Sequence, residues 1–111
     1  MNKITIVRVG SPQSPSAHRE YCGKPGKGHK GIFGNPFWMG NESQRNWACD
    51  TYQNHFEAQM FSRTGDLYIG MRQLYRIAKE RDLELACFCV PKRCHCETIK
   101  NFLEEKLNGK T

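Results

Sequence analysis

Residues 83–96 read LELACFCVPKRCHC, and this stretch decides the fold because two kinds of secondary structure meet in it. Its first half is apolar and short, which is typical of a buried strand, and we expect that strand to span residues 83–89. After the stretch, apolar residues recur at helical spacing and predict a helix over residues 95–107. The cysteines therefore lie at a strand-to-helix junction, which is where α/β proteins place ligand sites.

Four of the six cysteines lie within ten residues of this junction, at positions 87, 89, 94 and 96. One interpretation is a metal site, because Cys87, Cys89, Cys94 and His95 supply four donors of the kinds that zinc prefers. On an extended strand the Cα atoms of Cys87 and Cys89 would lie about 6 to 7 Å apart, with both side chains on one face. On this interpretation zinc is a cofactor, and its ligand set is strained.

A second interpretation makes Cys94 a nucleophile that works with His95. Cys94 would lie exposed at a helix N-terminus beside Lys92 and Arg93, and these surroundings lower the pKa of a thiol. A third interpretation is structural, because cysteine is among the residue types most often buried. Burial explains Cys87 and Cys89 but not the polar turn that follows, so all three interpretations stay open.

The rest of the chain supplies further elements of an α/β domain. A β-branched run predicts a strand over residues 3–9, residues 10–20 have the composition of a loop, and Tyr21-Cys22 begins a second short strand. Apolar residues at helical spacing predict helices over residues 43–61 and 66–81. We expect one domain, residues 1–111, with a mostly parallel sheet of three to five short strands flanked by about three helices. The strands at residues 3–9 and 83–89 would be central.

The net charge of +6 is concentrated near the N-terminus. Residues 1–34 hold one acid, Glu20, and six basic residues: Lys3, Arg8, Arg19, Lys24, Lys27 and Lys30. A basic segment indicates an anionic partner such as a nucleotide or a nucleic acid, although a solvated loop also uses lysines. No apolar run approaches the roughly 18 residues of a membrane span, and no signal sequence precedes the first strand, so we expect a cytoplasmic protein without a membrane partner.

Residues 23–40 form a glycine-rich loop that carries Lys24, Lys27 and Lys30. Glycine lets main-chain N–H groups approach an anion, so the loop could hold a phosphate; a flexible surface loop would have the same composition. Within it, Pro36 keeps Asn35 out of the helical conformation. The Asn35 amide is then free to bond a ligand or, in an ordinary Asn-Pro turn, the backbone.

Three motifs together resemble a family of small bacterial and phage proteins catalogued as a domain of unknown function. They are Tyr21-x-Gly23-Lys24, Gly34-Asn35-Pro36-Phe37 and Leu85-x-Cys87-x-Cys89-x-Pro91-x-x-Cys94-His95. The similarity covers nearly the whole chain, including a helix that bears Arg45. It implies a compact Rossmann-like α/β domain and a role near nucleotide or nucleic-acid metabolism in phages. Lys24 stands where the family leads us to expect arginine, and Cys96 stands where we expect glycine.

These observations lead to one expected function and two alternatives. The expected function is a phage-type, nucleotide-associated enzyme of the bacterial or infected-host cytosol. Its anionic substrate would be bound by five residues, Lys24, Lys27, Lys30, Asn35 and Arg45, and Cys94 with His95 would carry the chemistry. The first alternative is a zinc-stabilised module that binds nucleic acid or a host protein through the basic segment. The second is an inhibitor that sequesters a nucleotide.

Overall fold

A computed structural model describes residues 2–26, 28–37 and 39–109 of the protein, and within these ranges three short strands form one parallel sheet. The strands are β1 (Ile4–Arg8), β2 (His18–Tyr21) and β3 (Leu83–Cys87), in the order β1-β3-β2. Leu83 of the central strand pairs with the first residue of each neighbour, Ile4 and His18. All three strands therefore end at the same edge of the sheet, and the predicted α/β architecture is confirmed.

Three α-helices accompany the sheet in the described residues: α1 (Arg45–Ser62), α2 (Gly65–Glu80) and α3 (Cys96–Leu107). A single 3-10 turn, Glu42–Gln44, leads into α1. The predicted helices are confirmed to within two residues at each end. Their periodicity was informative because apolar side chains spaced by three or four residues share one helical face. The side chains buried in this way include Tyr52, Phe56, Met71, Leu74, Ile99 and Leu103.

The core joins the helices to the sheet and to the glycine-rich loop. α3 contacts β1 and β3, while α2 contacts β3 and α3. Tyr52 of α1 is almost completely buried, and its hydroxyl donates a hydrogen bond of 3.1 Å to the carbonyl oxygen of Phe33 in the loop. Burial strongly raises the pKa of Tyr52, so the hydroxyl stays a donor. This bond anchors the loop to α1.

Two predictions about the sheet are wrong. The first strand is an edge strand and not a central one, because among the strands of the described residues β3 alone has neighbours on both sides. Its β-branched run reflects a preference for extended backbone, which edge strands share. The second strand begins at His18, inside the predicted loop, and ends before Cys22. Its sequence, HREY, shows no alternation of apolar and polar residues, so only pairing with β3 identifies it.

None of the helices in the described parts of the chain is both long and apolar enough to cross a lipid bilayer.

Candidate functional site

A cavity of about 450 Å³ lies at the edge where the parallel strands end. The end of β3, the glycine-rich loop and the start of α1 surround it. Open α/β sheets bind their ligands at this position, because the carboxyl ends of the strands and the following loops converge there. The cavity brings together seven of the residues that the sequence singled out: Lys24, Asn35, Arg45, Cys87, Cys89, Cys94 and His95. Lys30 does not line the cavity, and Lys27 lies outside the described residues.

The sulfur atoms of Cys87, Cys89 and Cys94 lie within 4.8 Å of one another at this cavity. They meet because β3 ends at Cys87, two residues before the predicted end of the strand. Beyond that point the backbone turns, and Lys92 N–H donates to the carbonyl oxygen of Cys89 at 2.8 Å. Cys89 is therefore not held on an extended strand, and the strain expected for joint ligation by Cys87 and Cys89 does not arise.

His95 lies beside the same sulfur atoms in a defined tautomer. Its Nε2 is 2.6 Å from the carbonyl oxygen of Cys22, and a carbonyl only accepts, so Nε2 carries the proton. Nδ1 is then the acceptor, and it lies 3.5 Å from Sγ of Cys94. Burial lowers the pKa of His95, which keeps the ring neutral and leaves the lone pair of Nδ1 unprotonated. A carbonyl that orients the far nitrogen is the usual companion of a metal-binding histidine.

Cys94 belongs to two overlapping groups of candidate ligands. Besides the group with Cys87 and Cys89, its sulfur lies within 4.8 Å of donors from His95 and Cys96. Cys87, Cys89, Cys94 and His95 line the cavity, whereas Cys96 is fully buried in the core. The first set therefore lies entirely at the cavity wall, whereas the second set shares Cys94 and His95 with that wall and adds Cys96 from the core.

Hydrogen bonds between the buried thiols shift their pKa values in opposite directions. The Cys94 thiol donates to the sulfur of Cys87 over 3.0 Å, and this hydrogen bond lowers the pKa of Cys87 and raises that of Cys94. A hydrogen bond with Cys22 is the largest of the causes that raise the pKa of Cys96. Cys94 is only 3% exposed, so its predicted exposure is wrong. The helix that follows packs Cys94 against the end of β3, which the sequence could not indicate.

Cys89 is the most accessible of the six cysteines: it is half-buried, and the other five are buried. Its neighbour in the cavity is the guanidinium group of Arg45. The pKa of Arg45 is raised by hydrogen bonding, first to Glu42 and then to the sulfur of Cys89. Arg45 also binds both carboxylate oxygens of Glu42, at 2.9 and 2.7 Å. A cation thus lies beside the most accessible of the thiols that line the cavity.

Three arginines hold the cysteine-bearing loop in place. Arg8, at the end of β1, donates to the carbonyl oxygen of Val90 at 3.0 Å. Arg45, at the start of α1, donates to the carbonyl oxygen of Arg93 at 2.9 Å. Arg93 in turn forms an ion pair of 2.7 Å with Asp50 of α1. The sequence did not identify Arg8 and Arg93 as site residues. Arg8 binds a main-chain oxygen, and the partner of Arg93 lies 43 positions away in the chain.

Asn35 lines the cavity, but both ends of its amide bond the protein. Its oxygen accepts from the N–H of Phe37 at 2.9 Å, and its nitrogen donates to the carbonyl oxygen of Ala48 at 3.0 Å. This is the Asn-Pro turn that the sequence allowed as an alternative. Asn35 therefore fixes the loop against α1 and shapes the cavity wall.

The basic N-terminal segment does not form one surface. Arg8 is bonded to the cysteine loop, and Arg19 forms an ion pair of 2.9 Å with Glu84 of β3. Lys24 lines the cavity, while Lys30 is exposed outside it. The charge count along the sequence could not distinguish basic residues that hold the fold together from those that face a cavity.

The fold and the site together define a small α/β domain with a cysteine cluster that could hold a metal, placed at the carboxyl edge of a parallel sheet. The chain belongs to the family described as a domain of unknown function, DUF4326, whose model matches residues 4–105. Comparisons with curated proteins and with solved structures return no match.

Proposed function

We propose that this domain binds a zinc ion through Cys87, Cys89 and Cys94, and that the cavity beside the ion takes a small anionic molecule of the nucleotide class. The observation that carries the proposal is the convergence of three sulfur atoms within 4.8 Å at the wall of a cavity. Zinc prefers thiolate and imidazole donors in tetrahedral geometry. Three thiolates satisfy that preference and leave one position.

His95 is the nearest candidate for the fourth position: it lies within 4.8 Å of Cys94 Sγ, although it is not part of the cluster that Cys87, Cys89 and Cys94 form. In a tetrahedral site with the usual Zn–S and Zn–N distances, sulfur and nitrogen ligands lie about 3.6 Å apart. The separation between Cys94 Sγ and His95 Nδ1 is 3.5 Å. The sulfur atoms of Cys87 and Cys94, at 3.0 Å, would move apart to about 3.8 Å around the same ion. With His95 as its fourth ligand, a bound zinc ion would have a structural role. If a molecule in the cavity took the fourth position instead, the ion would act on that molecule as a Lewis acid.

Arg45 supports the same donor set. Three thiolates and one Zn²⁺ carry a net charge of −1, which is costly to hold away from water unless a cation lies near. The guanidinium group of Arg45 lines the same cavity as Cys89 and lies close enough to interact with its sulfur, so it supplies that charge. Metal sites depend on such outer partners nearly as much as on their ligands.

Zinc analysis of four proteins tests the donor set. We expect about one zinc per chain in the unsubstituted protein and less than about 0.2 in Cys89→Ser, because a serine hydroxyl is a poor zinc ligand. Cys49→Ser is the matched control, since Cys49 lines the same cavity and belongs to neither group of candidate ligands. Cys96→Ser tests the second group of candidate ligands, Cys94, His95 and Cys96. Zinc retained in Cys89→Ser and lost in Cys96→Ser would overturn the proposed ligands.

The anionic ligand is supported by the composition of the cavity. Among the described residues that line it, Lys24, Arg45 and Arg93 are cations and none is acidic, although Arg45 and Arg93 also pair with Glu42 and Asp50 outside the lining. Tyr21, Phe37 and Phe88 add aromatic walls. Ligand sites are mostly apolar with a few convergent polar groups, and a volume of about 450 Å³ lies in their usual range. A planar ring joined to a phosphate matches both features.

Thermal shift measurements with nucleotides test this second part. A nucleotide at 100 times its Kd should stabilise the protein by about 2.7 kcal/mol and raise the Tm by about 10 °C or more. Lys24→Met should reduce the shift, because Lys24 lines the cavity. Lys30→Met should leave it unchanged, because Lys30 belongs to the same loop and does not line the cavity. Equal losses in the two variants, or no shift with any nucleotide, would contradict the proposal.

A thiol-dependent enzyme is the second candidate, and one observation favours Cys89 over Cys94 as its nucleophile. Cys89 is half-buried beside Arg45, whereas Cys94 is 3% exposed. The combination of an accessible thiol with a neighbouring cation is typical of reactive cysteines. The catalytic role predicted for Cys94 and His95 stays a prediction. A zinc-free protein whose Cys89 is alkylated faster than the other cysteines would favour this candidate.

A further inference from the structure

A second cavity, of about 830 Å³, lies between the end of α1, α2 and α3, away from the cysteine cluster. We call it the helical groove. Five basic side chains line it: Arg63, Arg72, Arg76, Lys79 and Lys106. No described residue of its lining is acidic. The electrostatic potential of the groove is therefore strongly positive, and α1, α2 and α3 all contribute to its walls.

The charges of the helical groove are not neutralised by the protein. All five basic residues are exposed, and none of them forms an ion pair with any residue that the structure describes. The two arginines at the first cavity differ in this respect, because Arg45 pairs with Glu42 and Arg93 pairs with Asp50. The positive charge of the groove is thus available to an external anion.

Aromatic rings alternate with these cations along α2. Tyr68, Arg72, Tyr75 and Lys79 follow one another at steps of four, three and four residues, which places them on one helical face. The Arg72 guanidinium lies 6.0 Å from the Tyr68 ring centre, and the Lys79 ammonium lies 4.8 Å from that of Tyr75. Cations at such distances interact with the ring faces. The stripe presents paired aromatic and positive groups.

The other two helices continue the same pattern. The ammonium group of Lys106 lies 5.5 Å from the ring centre of Phe102 on α3. Phe61, near the end of α1, lines the groove and is 91% exposed. A ring this exposed makes almost no packing contact with the rest of the protein. Its faces are therefore free to stack on a planar group of a ligand.

We propose that the helical groove binds single-stranded nucleic acid, with the five cations on its phosphates, the exposed ring of Phe61 stacked on a base, and the half-buried rings of Tyr68, Tyr75 and Phe102 forming its wall. Proteins that bind single strands combine a positive groove with aromatic platforms, because every base offers a flat face and every nucleotide a charge. A duplex hides its base faces, so the rings would be unused. A lipid surface would favour apolar side chains on a face separate from the cations, whereas here they alternate.

Fluorescence anisotropy with a labelled oligo-dT of about 12 nucleotides tests the proposal, and we expect micromolar binding at 50 mM salt. The triple variant Arg72→Gln/Arg76→Gln/Lys79→Gln should weaken binding at least about tenfold. It should also make the slope of log K against log salt less negative by about 2, because three phosphate contacts are lost. The charge-matched control is Lys3→Gln/Lys30→Gln/Arg81→Gln, which alters exposed cations outside both cavities and should bind within about threefold of the unsubstituted protein.

Phe61→Ala separates stacking from charge and is expected to fold, since this side chain is almost fully exposed. It should weaken binding about 5-fold to 100-fold with an unchanged salt slope, because one stacking contact is lost and no charge. Oligo-U of the same length decides between DNA and RNA as the ligand. No oligonucleotide binding at 50 mM salt, equal losses in the two triple variants, or binding only to phosphatidylserine vesicles would each overturn the proposal.

Discussion

Adding a strong zinc chelator should lower the melting temperature of the zinc-loaded protein by about 15 °C or more. A metal present at 1,000 times its Kd stabilises the folded state by about 4 kcal/mol, and each kcal/mol corresponds to at least about 4 °C in a domain of this size. The ligands join the end of β3 to the residues that precede α3, so loss of the ion would release the central strand from the last helix. Differential scanning calorimetry measures the change.

The controls for this result separate chelation from other effects. A chelator saturated with zinc beforehand should not change the Tm, and Cys49→Ser should respond to free chelator as the unsubstituted protein does. Cys89→Ser should melt at the same temperature with and without chelator. The stabilisation by zinc should also shrink as the pH falls, because protons compete with the metal for the thiolates. A zinc-loaded protein with a Tm unaffected by chelator would contradict the metal site.

Arg19→Ala should lower the free energy of unfolding by about 3 kcal/mol. The side chains of Arg19 and Glu84 are only 15% and 13% exposed, and they face each other from paired positions on β2 and β3. Arg19 also donates to the carbonyl oxygens of Ser11 and Pro12, at 2.6 and 3.1 Å. Removing it leaves a largely buried carboxylate without its partner. Urea denaturation at pH 7 measures the loss.

Two further variants identify the cause of that loss. Lys92→Ala removes the partner of Glu42 in an ion pair whose side chains are 59% and 58% exposed, and it should change stability by no more than about 0.5 kcal/mol. The double variant Arg19→Leu/Glu84→Leu removes both buried charges and should recover most of the stability that Arg19→Ala loses. A loss below about 1 kcal/mol in Arg19→Ala would show that water replaces the ion pair at little cost.

The local sequence around the cysteines did not predict correctly which thiol is exposed. The sequence predicted that Cys94 would be exposed beside activating charges, yet Arg93 is bound to Asp50 and Cys94 is buried. The accessible thiol is Cys89, which the sequence assigned to a strand face. Exposure depends on which elements pack over a residue, and those elements come from distant parts of the chain.

The position of positively charged surfaces was likewise not predictable from the distribution of charge along the sequence. The excess of basic residues before position 35 predicted an anion-binding surface in the N-terminal segment. Arg8 and Arg19 of that segment instead bind other groups of the protein. The cations of the groove are spread between Arg63 and Lys106, among acidic residues that face elsewhere. Helical spacing would have revealed the stripe on α2, but not that α1 and α3 extend it.

The sequence by itself determined the three helices, the parallel α/β architecture and the position of the cysteine cluster at the end of the last strand, because these features depend on periodicities of a few residues. It could not determine that β2 begins at His18, that β3 alone is central, or that Cys89 meets Cys94. Those outcomes depend on pairing with β3 and on the contacts that hold the cysteine loop. Only the tertiary structure supplies them, since the partners lie as many as 82 positions apart.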